Sequence, residues 1–399
     1  MTPHPSPLGR APRFTSRPRR ATEPWSRRRF LGRAGLVLGG VAVGPALLAA
    51  CGDDGGNGGG TGGDGGDSAA LRISNWPFYI DEETVDLFAA ATGIAVTYTE
   101  DVNSNDEYFA KIQEPLSRGQ DIGADLFVVT DWMAARLIGL GWVAELDAAN
   151  VPNKANLVAS LSSVGFDPDR AYSLPWQSGM TGIIYDPEAA GRELTRLEDL
   201  FDPELAGRVT MLTEMRDTMG LMLLLDGVDP SSEFTDDDFQ AGIDRLEAAR
   251  DSGQIRRFTG NDYGDDLASG NVVAAMGWSG DAVQLRADAP NLRFVVPDEG
   301  GMLWSDNMMI PSTASAGAKA NAERWMDYCY DPENMARITE YVAFIPPVEG
   351  TAAFLSEELA SDPLVNPPAD LLGRLSVFRE LDEETEQRYN QLFQSVVRA

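Results

Sequence analysis

Histidine is all but missing from this chain: among 399 residues only His4 carries an imidazole. Everything downstream of the first few residues therefore lacks the base of Ser-His-Asp and Cys-His catalysis and the commonest nitrogen ligand of zinc. Cysteine is nearly as scarce, with two residues, Cys51 and Cys329. Lysine is reduced to Lys111, Lys154 and Lys319, whereas arginine is plentiful. A long hydrophobic run is lacking too. The most apolar stretch, Ala34 to Ala50, has 17 residues with four glycines and a proline, short of the ~20 that span a bilayer.

That stretch belongs to an N-terminal pattern of its own. Arg27-Arg28-Arg29-Phe30-Leu31 precedes it, and Leu48-Ala49-Ala50-Cys51 ends it. An arginine pair ahead of an apolar segment reads as a twin-arginine export signal over residues 1–50. The Leu-Ala-Ala-Cys ending resembles a bacterial lipobox, with Cys51 as the lipidated first residue of the mature protein; a genuine transmembrane anchor is the competing reading. Ten glycines among residues 52–67 behave as a flexible coil spanning about 20–24 Å. Residues 51–69 are thus expected to be a tether, and the protein to work outside the cytoplasmic membrane, held to it by lipid alone. With Cys51 acylated, Cys329 has no disulfide partner. Within Trp325-Met326-Asp327-Tyr328-Cys329 it reads as a core thiol on a helix.

Charge is lopsided. The formal net charge is −30, and without residues 1–50 it becomes −38, from 23 basic and 61 acidic side chains. Such a surface repels nucleic acid and anionic headgroups and attracts cations. A salt-adapted proteome would look similar, and charge alone does not separate the two.

After the tether, about 330 residues of ordinary globular composition suit two lobes better than one core. Strand and helix patterns alternate: strands at 71–75, 94–98, 125–130, 172–176, 182–185, 208–212, 272–277 and 293–296, with helices near 82–92, 106–116, 215–225, 236–251 and 279–288. The helix at 236–251 is the plainest, with Thr235 as cap, Asp238 at the third position and Phe239, Ile243 and Leu246 on one stripe. This alternation predicts an α/β fold with mainly parallel sheets.

In open α/β sheets ligands bind beyond the carboxyl ends of strands. Aromatic and acidic residues gather at those places: Trp76 and Tyr79 after the first strand, Thr130 and Trp132 after the third, Glu214 and Asp217 after 208–212. Trp278 and Asp281 follow 272–277, and Trp304 and Asp306 precede an expected strand at 307–311. Indole faces attract cations, worth roughly 0.5–2 kcal/mol each, and carboxylates pair with ammonium groups. Aromatic walls with acids at the ends suit a slim molecule with a methylene body and ammonium tips. A sugar would also stack on tryptophan and bond to acids, and any one of these tryptophans could be ordinary packing. Asp281 could also be a first-turn acid.

Asn75-Trp76 with Tyr79, Thr92-Gly93-Ile94, Asp125-Leu126, Glu214-x-Arg216-Asp217, Trp278-Ser279-Gly280-Asp281, Glu299-Gly300-Gly301 and Trp304-Ser305-Asp306 occur in one order over residues 70–398. In that order and spacing the chain resembles the periplasmic spermidine/putrescine-binding proteins of ABC transporters. The resemblance implies a type II periplasmic-binding fold, with lobes of 70–180 plus 305–355 and 181–304 plus 356–399 closing on a ligand by hinge motion. It implies polyamine capture and delivery to permease subunits by a monomer, with no metal, no cofactor and no catalytic residue. Carried over by position, Trp76, Tyr79, Thr130 and Trp132 line the first lobe and Glu214 and Asp217 take amines from the second. Trp278 and Trp304 sandwich the methylene chain, with Asp281 and Asp306 as further anchors. Three positions depart from the pattern: Phe78 in place of a polar residue, Phe344 in place of a tyrosine at the site, and Arg379 near a site-lining glutamine. Two other readings remain: a binding protein for a sugar, a thiamine-like cation or an amino-acid derivative, and a secreted glycosidase using Glu214 with Asp217 or Asp306.

Overall fold

The structure, a computed structural model, describes residues 69–398. The export signal, Cys51 and nearly all of the expected tether lie outside the described residues. Ten strands form one sheet: β1 (Ala70–Asn75), β2 (Ala95–Glu100), β3 (Leu126–Thr130), β4 (Ser173–Tyr185), β5 (Val209–Leu212), β6 (Ile255–Thr259), β7 (Ala274–Trp278), β8 (Arg293–Val295), β9 (Gly301–Met309) and β10 (Leu375–Ser376). Their order is β2-β1-β3-β9-β4-β7-β5-β6, with β8 beside β4 and β10 beside β9. The flanks, β2-β1-β3 and β7-β5-β6, are parallel. The middle is antiparallel, because β9 runs against both β3 and β4, and β4 runs against β7. The expectation of mainly parallel sheets therefore holds for the flanks and fails in the middle.

The middle is where the two hydrophobic clusters are joined. One cluster gathers Leu71, Phe88, Phe127, Leu137, Trp325 and Ile338; the other gathers Leu212, Met219, Phe239, Leu246, Met276 and Phe393. Strand β4 contributes Leu174 and Trp176 to the first and Met180, Ile183 and Ile184 to the second. Strand β9 does the same in reverse, with Met302 in the second and Met308 and Met309 in the first. A register shift between Pro175 and Gln177 bends β4 where it passes from one to the other.

That crossing also explains why β4 reads as two strands in the sequence. Gln177, Ser178 and Thr181 interrupt the apolar pattern, yet all three are buried. The two hydroxyls are served inside the protein: those of Ser178 and Ser305 bond to each other at 2.6 Å, and Thr181 donates to Asp217; the Gln177 amide nitrogen meets only the Met335 sulfur, at 3.3 Å. Likewise β9 begins at Gly301 rather than at 307, so Trp304 and Asp306 lie within a strand.

Elsewhere local chemistry sets the boundaries. Asp81 accepts from the Thr84 amide at 2.8 Å to open the Glu82–Thr92 helix, and Gly93, at φ 76°, closes it. Thr235 and Asp238 cap the Asp236–Asp251 helix reciprocally. Its Phe239, Ile243 and Leu246 are buried. Cys329 ends the Ala316–Cys329 helix fully buried, and burial pushes its thiol pKa well up, away from thiolate chemistry.

Candidate functional site

Four strands, one parallel pair on each flank, deliver side chains to one place. Strand β1 runs into Trp76, β3 ends in Thr130, β5 runs on to Glu214, and β7 ends in Trp278. Strand β9 adds Trp304 and Asp306 from its middle. Together with Tyr79, Trp132, Asp217, Asp281 and Phe344 they line a single cavity of about 110 Å³. All eleven positions singled out in the sequence are thus brought together.

Asp306 is held by two hydroxyls. It is buried, and it accepts from the Tyr79 hydroxyl and the Thr130 hydroxyl, each at 2.8 Å. Thr130 is fixed in turn by Asn105, whose amide nitrogen donates to its hydroxyl at 2.9 Å and whose oxygen accepts from its backbone N–H at 3.1 Å. Burial raises the Asp306 pKa to about 7 in spite of these donors. Asp217 accepts from Thr181 and from the Trp278 side chain, and burial lifts it to about 6. Glu214 rises to about 8, first through loss of water and then through the nearby charges of Asp217, Asp106 and Asp306, against one bond from Asn105. Asp281 accepts from the Tyr263 hydroxyl at 2.6 Å, and the same hydroxyl accepts from the Trp278 backbone N–H. It is both a first-turn acid of the Ser279–Leu285 helix and part of the cavity wall.

The aromatic rings form an edge-to-face series. Trp278 meets Trp304 at 6.4 Å and 78°, Trp304 meets Phe344 at 5.5 Å and 61°, and Phe344 meets Tyr79 at 5.5 Å and 87°. Two glycines make room for it. A Cβ on Gly179 would stand 2.3 Å from the Trp304 ring, and one on Gly280 would stand 2.6 Å from Phe344. The Gly280 of the Trp-Ser-Gly-Asp motif is therefore a packing requirement of Phe344. Phe78 also lines the cavity, at φ 58°, a conformation bulky residues avoid, with its N–H donating to Glu100 at 2.7 Å.

Trp132 is arranged differently from the other rings. The guanidinium of Arg216 lies 4.0 Å from its centroid, so one face is already occupied by a cation of the chain itself. Both terminal nitrogens of Arg216 donate to Glu386, a buried acid of the Glu383–Val397 helix. Arg379, by contrast, is not part of the cavity wall; it stacks over Phe234 at 5.0 Å.

Several lining residues were not anticipated. Asp131 is one, held by Asn307 at 2.7 Å and raised to about 6 by burial; its place directly after Thr130 at a strand end was a usable signal. Asn261, Val377 and Phe378 are others, from loops that carry no local pattern. Among the described residues no group of three or more His, Cys, Asp and Glu is disposed to hold a metal ion.

Comparison with known proteins places this arrangement. The family model for bacterial extracellular solute-binding proteins matches residues 83–367. Spermidine/putrescine-binding periplasmic protein 1 of Haemophilus influenzae is 24% identical over 91% of this chain and 98% of its own length. The putrescine-binding periplasmic protein PotF of Escherichia coli is 28% identical over 79% of this chain and 88% of its own. A solved structure from Listeria monocytogenes, assigned to a spermidine/putrescine ABC transporter, superposes with a TM-score of 0.75 at 30% identity, covering 82% of this chain and 99% of that one. The fold is the type II periplasmic-binding fold, two α/β halves joined by crossing strands. The chain belongs to the bacterial extracellular solute-binding proteins.

Proposed function

We propose that this protein captures a polyamine, putrescine or spermidine, in the cavity between its two halves and delivers it to the permease of an ABC transporter. The observation that carries the reading is the chemistry of one cavity. Glu214, Asp217, Asp281, Asp306 and Asp131 share it with Trp76, Trp278, Trp304 and Tyr79, and Arg216, also in the wall, is bonded to Glu386. Such a lining has a surplus of negative charge and flat π faces, which suits ammonium groups on a methylene chain. The named relatives bind spermidine or putrescine, and this supports the same ligand class here.

No bond is made or broken in this reading. Asp306, Glu214 and Asp217 hold ammonium groups, Trp278 and Trp304 cover the methylenes, and Thr130 and Tyr79 hold Asp306 in place. Trp76, Trp132, Asp281 and Phe344 complete the wall. Residues 70–180 with 305–355, and 181–304 with 356–399, act as lobes that close about β4 and β9. The protein is a monomer, anchored by lipid on Cys51 so that the receptor stays near its permease. Replacement of Cys51 by Ser should then release the protein from the membrane fraction.

Titration of tryptophan fluorescence and calorimetry with putrescine, spermidine, a monoamine and a neutral oligosaccharide test the ligand class. Polyamine binding should be tightest and should weaken as salt rises. Tight binding of the oligosaccharide, insensitive to salt, would overturn the reading.

A further inference from the structure

Beside the cavity lies a second space of about 600 Å³, open to solvent along Gln113, Leu140, Glu380 and Gln387, and the two share Trp132 and Arg216 in their walls. We infer that Arg216 is a partition that limits ligand length, and that the space behind it is a latent subsite for one more ammonium group. This rests on the polyamine reading given above.

The partition is built from three elements. Trp132 stands in the Asp131–Gly139 helix, Arg216 in the Met215–Leu225 helix and Glu386 in the Glu383–Val397 helix. Arg216 is wedged between them, its guanidinium carbon 4.0 Å from the indole centroid and its two terminal nitrogens on the two Glu386 oxygens. Little of either charged side chain is exposed, 13% for Arg216 and 8% for Glu386. A guanidinium held by a buried bidentate pair and a ring is a fixed wall, because displacing it leaves a buried charge unpaired.

Charge decides what the second space does. Its charged lining consists of Arg136, Arg216, Glu380 and Glu386, so the two signs cancel. Arg136 lies 3.8 Å from the Phe109 centroid, and Arg216 is paired with Glu386. With Arg216 in place, the space offers an ammonium group no net attraction. Removing its guanidinium takes away a wall the two spaces share, leaves Glu386 with the neutral Asn390 amide, and sets two acids against one arginine. Trp132 would bare a ring face for a methylene chain once Arg216 is gone, and Trp142, stacked on Phe109, lines the same space. A diamine would fill the first cavity only; a triamine would reach the second once the wall is gone.

The test is calorimetry with putrescine and spermidine on the wild-type chain, Arg216→Ala, Arg216→Met and Arg216→Ala/Glu386→Gln. Removing the guanidinium should shift the spermidine-to-putrescine affinity ratio toward spermidine by about tenfold or more, as expected for one new charge-assisted contact. Arg216→Met keeps the aliphatic stem against Trp132, and should shift the ratio the same way even where the alanine variant folds poorly. The gain should vanish in the double variant, because Glu386 is the group that receives the added ammonium. A ratio unchanged in Arg216→Met, or a gain that survives loss of the Glu386 carboxylate, overturns the partition while leaving polyamine binding intact. A wild-type chain that binds neither amine overturns the functional reading and the partition together.

Discussion

Asp306 and Glu214 face the same cavity, yet the protein prepares them in opposite ways. Asp306 sits inside β9 and receives two hydroxyl donors, one of them itself braced by Asn105. Glu214 stands at the N-cap of the Met215–Leu225 helix, where the helix dipole favours an anion, but its side chain does not cap. It faces other carboxylates, and its pKa climbs to about 8, against about 7 for Asp306. Asp306 is organised in advance by two hydroxyl donors; Glu214, with one bond from Asn105 and like charges around it, is left for a cation to complete. The difference assigns position to Asp306 and responsiveness to Glu214.

The largest expected effect follows from removing the prepared anchor. Asp306→Asn should weaken putrescine binding by about 2–5 kcal/mol, since an ammonium then loses its buried charged partner. The amide oxygen can keep the Thr130 donor while the Tyr79 hydroxyl turns to accept from the new NH2, so the fold should survive, as an unchanged thermal midpoint without ligand would show. Unchanged affinity would place the ligand elsewhere in the cavity.

The responsive anchor should show itself through pH. With burial holding Glu214 at about 8, Asp306 at about 7 and Asp217 at about 6, all three take up protons as pH falls toward 6, Glu214 first. A bound dication needs them ionised, so binding expels protons and affinity rises from pH 6 to pH 8. Each proton released contributes up to tenfold per pH unit, about 1.4 kcal/mol. Calorimetry in buffers of different ionisation enthalpy counts those protons, and Glu214→Gln should lower the count and flatten the slope. A slope unaltered by Glu214→Gln would erase the distinction drawn between the two acids.

Stability without ligand should move the other way. Carboxyl groups whose folded pKa is raised bind more protons in the folded than in the unfolded state, so they cost stability as pH rises through the window between the two values. For these three that window runs from about 4 to about 8. The ligand-free midpoint should therefore decline between pH 5 and pH 8, and Glu214→Gln should recover part of the decline at pH 8. A flat profile in the wild-type chain would mean that the cavity carboxyls keep their water.

Much of this was legible in the sequence because strand ends announce themselves. Trp76, Thr130, Glu214 and Trp278 each follow or end a short apolar run, and the rule that ligands gather beyond strand ends selects them directly. What escaped were features made by the crossing strands. The polar residues of β4 between Trp176 and Gly182 look like a loop until their partners on β9 and at Asp217 are known. The partition escaped for the same reason. Arg216 lay in a motif that was read for its acids, and nothing local shows that Glu386, 170 residues later, would neutralise it. The resemblance sets Arg379 near a site-lining glutamine, and its neighbours Val377 and Phe378 do line the cavity, but its own side chain turns to Phe234.

The smallest effect is the sharpest test of how Asp306 is prepared. Thr130→Val keeps the branched shape and removes the hydroxyl that joins Asn105 to Asp306. Asp306 then keeps only the Tyr79 donor, and the Asn105 side chain loses an acceptor. Binding at pH 8 should weaken by about 1 kcal/mol, the usual worth of one such hydrogen bond. Losing a donor to the charged form also raises the carboxyl pKa further, so the deficit should widen as pH falls toward 6. The two readouts separate a positioning role from mere packing, which would cost the same at either pH. A deficit as large as that of Asp306→Asn would mean that the hydroxyl itself holds the ligand.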